Sequence, residues 1–305
     1  MNTTLTHTIN AKINLRHLAF VGLCILVIVA CHGKIEAWLR LSLHDDRYTH
    51  LCMIPFVSGY MVFELRQAIF SRIERSLDGL IFVATGMILV GVAYYWATVL
   101  GPTGNISLAI LGVLAICAGI FRICYGRHAW QSARFPILFL LFAVPVPSIM
   151  LDKIISFLQQ GSAVVVEGFF ALTLFPYVRD GLRFYLPGLT IEIAPQCSGI
   201  RSSTVLLIVA VLVAYYLLRT PWRRLLLVVS VVPLVLFKNG LRIATLSLLS
   251  VHVDRRFITG SLHHDGGFVF FGLMLVVVAV LCWALRRSET GKVKPRAANQ
   301  ALAGK

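Results

Sequence analysis

The chain has 305 residues, 58% of them hydrophobic and only 13% charged, with a mean hydropathy of +0.83. Soluble domains carry about a quarter charged residues, so lipid is the simplest surrounding for this one. The net charge of +15 does not point to nucleic acid, because Lys and Arg fall in clusters between apolar runs, as membrane topology demands.

Residues 1–16 form a polar N-terminal segment expected in the cytoplasm. The apolar run that follows is not succeeded by a small-residue cleavage site, so it reads as a retained anchor. A spanning helix needs about 20 mostly apolar residues. The runs at 17–33, 51–65, 77–98, 105–121, 135–151, 199–218, 225–249 and 266–285 predict an all-α membrane fold, a polytopic bundle of about eight transmembrane helices. A further apolar stretch, 154–175, holds Gln159, Gln160 and Glu167 and reads as interfacial or as a dip that returns. The polar, basic segment 286–305 reads as an unstructured cytoplasmic tail.

With the N-terminus inside, most of the 28 basic residues fall on cytoplasmic segments, including Arg66, Arg72, Arg75, Arg122, Arg127, Arg134, Arg219, Arg223 and Arg224. The positive-inside rule then places both termini in the cytoplasm. Three outward segments are more than short loops, 42–50, 176–198 and 250–265, while the outward turn GPTGN at 101–105 is minimal. Within the second, FYLPGLTIEI predicts a small β-hairpin turning at Pro187-Gly188. No fixed-period repeat, Gly-rich phosphate loop, HExxH or GxSxG is present, which removes several common enzyme classes.

Seven cysteines occur without a CxxC pair, so no structural metal site is indicated. Most lie in apolar runs, where Cys acts as a small hydrophobe. Cys197 differs, since Pro195 and Gly199 bracket it just before an apolar run. The spacing sets it at a helix N-terminus, where partial positive charge favours a thiolate and backbone N–H groups can hold an oxyanion. Arg201 adds a cation one turn on. A small buried Cys at a helix cap would show the same local pattern.

Lys238, Asn239 and Arg242 interrupt an apolar helix on one face. A cation at the bilayer centre costs about 2.5–3.5 kcal/mol on insertion scales, so such residues are usually partnered and functional. A snorkelling pair at a helix end is the alternative. His263 and His264 precede the last run, and a histidine there can act as general base and acid, or simply be solvated. Topology sends the Cys, the Arg and the His pair to one leaflet. Together they compose a cysteine hydrolase or acyltransferase set. Two other readings stay open: a non-enzymatic transporter or exopolysaccharide-assembly component, with Lys238 and Arg242 lining an anionic path, and a metalloenzyme using His50, His263 and His264.

These stretches resemble the exosortase/archaeosortase family. The likeness rests on LPGLTIEIAPQCSGIRSS around Cys197, NGLR ending at Arg242, and the run from His263 to Gly267-Phe268. The early DDRYTHLCMIP, with Asp46, Tyr48 and His50, is similar to the family's first outer loop. The resemblance implies Cys197 as nucleophile, Arg242 as oxyanion stabiliser and His263 as proton carrier, with Asp46, Tyr48, His50, Arg201, Lys238, Asn239 and His264 in support. It further implies a bacterial inner-membrane transpeptidase facing the periplasm, with no cofactor. The expected partner is the C-terminal sorting-signal helix of secreted substrates, as in PEP-CTERM proteins, together with membrane lipid and an acceptor nucleophile that the sequence does not name.

Overall fold

The computed structural model describes residues 2–74, 76–254 and 267–290, and side chains within 15–74, 76–254 and 268–289. The chain divides into two compact units, Met1–Leu151 and Asp152–Lys305.

In the first unit, α1 (Asn2–Ala30) meets α2 (His32–His44) at an 80° bend. A 3-10 turn (Asp46–Tyr48), α3 (Met53–Glu64), α4 (Arg66–Ile69), α5 (Gly79–Tyr95) and α6 (Ala97–Phe139) follow. α5 and α6 pack backbone to backbone through glycines two turns apart. A Cβ on Gly86 would lie 2.6 Å from the Gly112 oxygen, and one on Gly119 would lie 2.7 Å from the Gly79 oxygen. Small residues permit this approach where lipid supplies no hydrophobic drive between helices.

α6 is not one rod. Gly126 is non-helical (φ 85°, ψ −170°), and the chain reverses there. Ser107 Oγ donates to the Pro145 oxygen at 2.6 Å and Ser148 N donates to Thr103 Oγ1 at 3.0 Å, so residue 148 has returned to the level of residue 103. The same end holds the first outward segment, where Tyr48 Oη donates to the Val146 oxygen (2.7 Å) and Trp38 Nε1 to the Ala143 oxygen (2.7 Å). The opposite end gathers an Arg122–Asp78 ion pair and the contact of His17 Nδ1 with Tyr125 Oη (2.8 Å). The loops expected on one side thus share one end, and the basic loops share the other.

The second unit contains most of α7 (Ser148–Leu172), strands β1 (Val178–Asp180), β2 (Arg183–Leu186) and β3 (Leu189–Glu192), a 3-10 turn (Pro195–Ser198), α8 (Ile200–Leu217), α9 (Pro221–His252) and α10 (Gly267–Thr290). The strands form one antiparallel sheet in order β1-β2-β3, with Leu186 opposite Leu189 across the Pro187-Gly188 turn. Phe184, Leu186, Ile191 and Ile193 bury one face against Ala163, Val166 and Phe170 of α7 and Ala244 of α9. Period-2 alternation produces that face. Leu206, Ala210 and Ala214 of α8, Leu227, Val231 and Val235 of α9, and Met274, Val278 and Cys282 of α10 form a second core. Their spacing of four puts one apolar stripe on each helix.

Five helices among the described residues are long and apolar enough to cross a membrane, or six with the bent α1–α2 pair. α6 and its 3-10 extension count once in that figure despite the reversal. The expected span at 135–151 is interrupted. α6 ends at Phe139, a 3-10 turn covers Leu140–Ala143, and Pro145 and Pro147 keep the chain extended up to Ser148, since proline disfavours helix in the residue before it. The stretch 154–175, expected to lie at the interface or turn back, does not turn back: residues 154–172 belong to the unbroken α7, which has the length and apolarity of a span. The tail expected to be unstructured from Arg286 is helical through Thr290. Glu289 explains this: its carboxylate accepts from Arg219 N and Thr220 N and pairs with Arg223. Residues 291–305 lie outside the described residues.

Gly86→Leu should lower the thermal unfolding midpoint of detergent-solubilised protein, because overpacking costs about 1–3 kcal/mol. Gly91→Leu, where a Cβ meets nothing within 4 Å, should leave it unchanged; equal behaviour of the two variants would refute the close packing.

Candidate functional site

Cys197 sits in the 3-10 turn that directly precedes α8, as its flanking residues predict. Pro195 opens the turn with a preset φ. Gly199 closes it in the left-handed region (φ 73°, ψ 17°), a conformation that costs a side-chain-bearing residue about 1–2 kcal/mol. Cys197 N donates to the Ala194 oxygen at 2.8 Å, so its own amide is spent within the turn. Donors for an anion must come from the first turn of α8, whose N–H groups have no acceptor in their own helix.

Asn239 locks this turn to the helices behind it. Its fully buried amide Nδ2 donates to the Cys197 carbonyl at 2.8 Å and to Ser162 Oγ of α7 at 3.0 Å. α7 approaches closely because Gly240 leaves room, since a Cβ there would lie 2.5 Å from Val165. One α7 turn earlier, Gln159 Nε2 donates to the Ile193 oxygen at 2.6 Å and holds the exit from β3.

Lys238 is also buried and donates to Ser202 Oγ in the first turn of α8. Ser202 and Ser203 hydroxyls donate in turn to the Gly199 carbonyl at 3.0 and 2.7 Å. Among the described residues no carboxylate pairs with Lys238. Arg242, half-buried, follows Asn239 by three residues on α9 and lies one turn further along the same face. Two acceptor-capable atoms at the cysteine turn and the side chain that anchors it, Ser198 Oγ and Asn239 Oδ1, are buried with no hydrogen-bond partner among the described residues. Orphaned polar atoms of this kind are rare in folded proteins and mark sites with a missing partner.

The structure therefore brings Cys197, Lys238 and Asn239 together, with Arg242 on the adjoining turn. Arg201 is exposed in the first turn of α8. His263 and His264 lie outside the described residues, and with them the metal-binding reading that needs both. Asp46, Tyr48 and His50 belong to the first unit. Tyr48 is buried, and burial pushes the His50 imidazole below its ordinary pKa, so it is neutral near pH 7. Sequence reasoning did not find Ser162, Ser202 or the orphaned Ser198. Ser162 sits in an apolar helix and carries no motif, and for Ser198 and Ser202, inside the cysteine stretch, only the fold shows what each faces.

The family model described as transmembrane exosortase (Exosortase_EpsH) matches residues 38–296. The chain is a member of the transmembrane exosortase family. No curated protein and no solved structure matches it. The matched span takes in the Cys197 turn, the buried Lys238-Asn239 pair and Arg242, so the polar cluster built by α7, α8 and α9 lies inside the exosortase domain.

Gly199→Ala combines the left-handed backbone with a Cβ 3.1 Å from Asn239 Oδ1, whereas Gly181→Ala shares the backbone (φ 59°) and meets nothing within 4 Å. The first variant should unfold at a distinctly lower temperature than the second; equal midpoints would show that Asn239 does not press on the turn.

Proposed function

We propose that this exosortase is a cysteine transpeptidase that cleaves C-terminal sorting signals of secreted proteins on the periplasmic face of a bacterial inner membrane. The supporting observation is the hydrogen bond from Asn239 to the Cys197 carbonyl. It ties the NGLR motif to the cysteine turn, and Arg242 follows Asn239 by one turn on the same face.

Cys197 passes its thiol proton to His263, and the resulting Sγ thiolate attacks the carbonyl carbon of the scissile amide. The carbonyl π electrons move onto oxygen, and Arg242 together with the first-turn N–H groups of α8 faces the oxyanion. Collapse breaks the C–N bond. The departing amine, which carries the signal helix, takes a proton from His263, in the role that the family resemblance assigns to it. A thioester remains on Cys197. An incoming amine or water gives its proton to His263, attacks the thioester carbon and releases the thiol. Lys238 keeps the surroundings positive while negative charge develops on oxygen.

Charge and length support the sidedness. Arg223 lies near the start of α9, and Asn239 is about 24 Å further along at a rise of about 1.5 Å per residue. With the Arg219–Arg224 cluster in the cytoplasm, the site reaches the outer headgroup depth of a core about 30 Å thick. The C-terminal end of α10, whose Glu289 accepts from Thr220 N, is then cytoplasmic as well.

Cys197→Ala should abolish cleavage of a co-expressed reporter that ends in a Pro-containing motif, a transmembrane helix and a basic tail, while the variant still purifies from the membrane. Unimpaired cleavage would sink the proposal. A variant retaining Cys197 alone should be labelled by an impermeant maleimide in intact spheroplasts; labelling only after permeabilisation would reverse the sidedness. Asn239→Leu keeps the branching of the side chain and removes the anchor. It should cut cleavage by about 100-fold or more, the scale on which a misplaced reacting group is felt.

A further inference from the structure

Away from the cysteine, the first unit carries a cavity of about 660 Å³ bounded by the start of α2, the end of α5 and the start of α6. Its lining is mostly apolar, with Ala37, Pro102 and Ile106 among the walls, and one cation, Lys34, enters it. Lys34 Nζ donates to Asn105 Oδ1 at 2.5 Å and stands 4.7 Å from the centroid of the Tyr94 ring. Asn105 is itself 4% exposed and is held by donation from Nδ2 to the Ala93 oxygen at 2.7 Å. The pocket is thus built around a fixed amide that aims the ammonium. Among the described residues no carboxylate neutralises Lys34. The nearest acidic residue in sequence, Glu36, pairs with Arg40 instead.

The level of the cavity decides its ligand. Tyr94, Tyr95 and Trp96 end α5 in a run of exposed aromatics, the belt that marks the headgroup region. At the same point α2 leaves α1 at 80°, which turns it toward the membrane plane if α1 crosses. The opening carries an uncompensated cation and a threonine hydroxyl, Thr98, above an apolar floor. That combination suits a phosphodiester with an acyl chain, the charge at the ammonium and the chain along the wall.

We infer that this pocket holds one anionic phospholipid, its phosphate on Lys34 and Thr98, at the end of the first unit that carries the Asp46–His50 segment. The lipid would brace α2, and through the Trp38–Ala143 contact it would brace the loop that leads into α7. No covalent step is involved, and the inference does not depend on the chemistry at Cys197.

The test uses the full chain, delipidated in neutral detergent and given back phosphatidylglycerol or phosphatidylcholine, with bound lipid counted by native mass spectrometry. Phosphatidylglycerol should be retained over phosphatidylcholine. Lys34→Gln should lower that retention about fivefold or more, the scale of one basic residue near an anionic headgroup. Lys34→Arg should keep it. Thr98→Phe should lower it by filling the opening from an exposed position where folding is not at stake. Arg40→Gln, which removes the same charge from the same helix outside the pocket, should have no effect. Equal retention of the two lipids, an equal loss in Arg40→Gln, or displacement of the lipid by millimolar inorganic phosphate would each overturn the assignment. Because none of these readouts involves reporter cleavage, failure here is distinguishable from failure of the transpeptidase reading.

Discussion

The amide of Asn239 is the constraint from which the second unit's site follows. Its two donated bonds reach a carbonyl beside the thiol and a serine hydroxyl on α7, so three chain segments meet at one buried side chain. Polar contacts between membrane helices are worth only about 0.6 kcal/mol on average, and their use here is register rather than stability. A helix advances about 100° per residue, so fixing residue 239 also fixes the directions of Lys238 and Arg242. Sliding α9 by one residue would break the link to Cys197 and turn both cations away from it.

The glycines make that register possible. Gly199 admits the left-handed closure that swings the chain from the cysteine turn into α8. Gly240 lets α7 come near enough for Ser162 to accept from Asn239. The sheet completes the frame, since its buried face packs on the same two helices, α7 and α9. Ile193, at the strand's exit, is tied to α7 by Gln159 only a few residues before Cys197. The thiol segment is therefore held on both flanks.

How far the sequence foretold this depends on the kind of signal. The hairpin at Pro187-Gly188 and the cysteine before a helix start were legible, because turn chemistry and capping act over a few residues. The polar trio on α9 was legible because charge inside an apolar run is costly. The interruption of the 135–151 run was missed, although Pro145 and Pro147 lay in it, because mean apolarity outweighed two local breakers. The length of α7 was missed for the opposite reason: Gln159, Gln160 and Glu167 looked like interfacial polarity. Gln159 is in fact spent on the Ile193 carbonyl, and Glu167 pairs with Arg179 at the sheet. The helical extension past Arg286 depended on Glu289 meeting the α8–α9 turn, a contact some seventy residues distant that no local pattern encodes. Tertiary partners turned the apparent surface polarity of Gln159 and Glu289 into interior bonding.

The charge distribution around Cys197 is unfavourable as it stands. Lys238 is buried without a carboxylate among the described residues and bonds to the first turn of α8, the end of a helix that already carries partial positive charge. Arg242 adds a second cation within one turn. A stability-optimised helix contact would place an acid there, since a charge taken out of water is normally paired. An acid would also fill the positive field before any substrate arrived. On the proposed mechanism, leaving Lys238 without an acid among the described residues keeps its attraction for an anion that exists only transiently, on sulfur before attack or on oxygen after it. That is the condition under which binding energy accelerates a reaction rather than merely tightening substrate association. The orphaned Ser198 hydroxyl can turn its proton toward such an anion, whereas the orphaned Asn239 Oδ1 can only accept and suits an incoming donor; on this reading the cations and the hydroxyl around the cysteine turn are arranged for a charge that the resting protein does not contain.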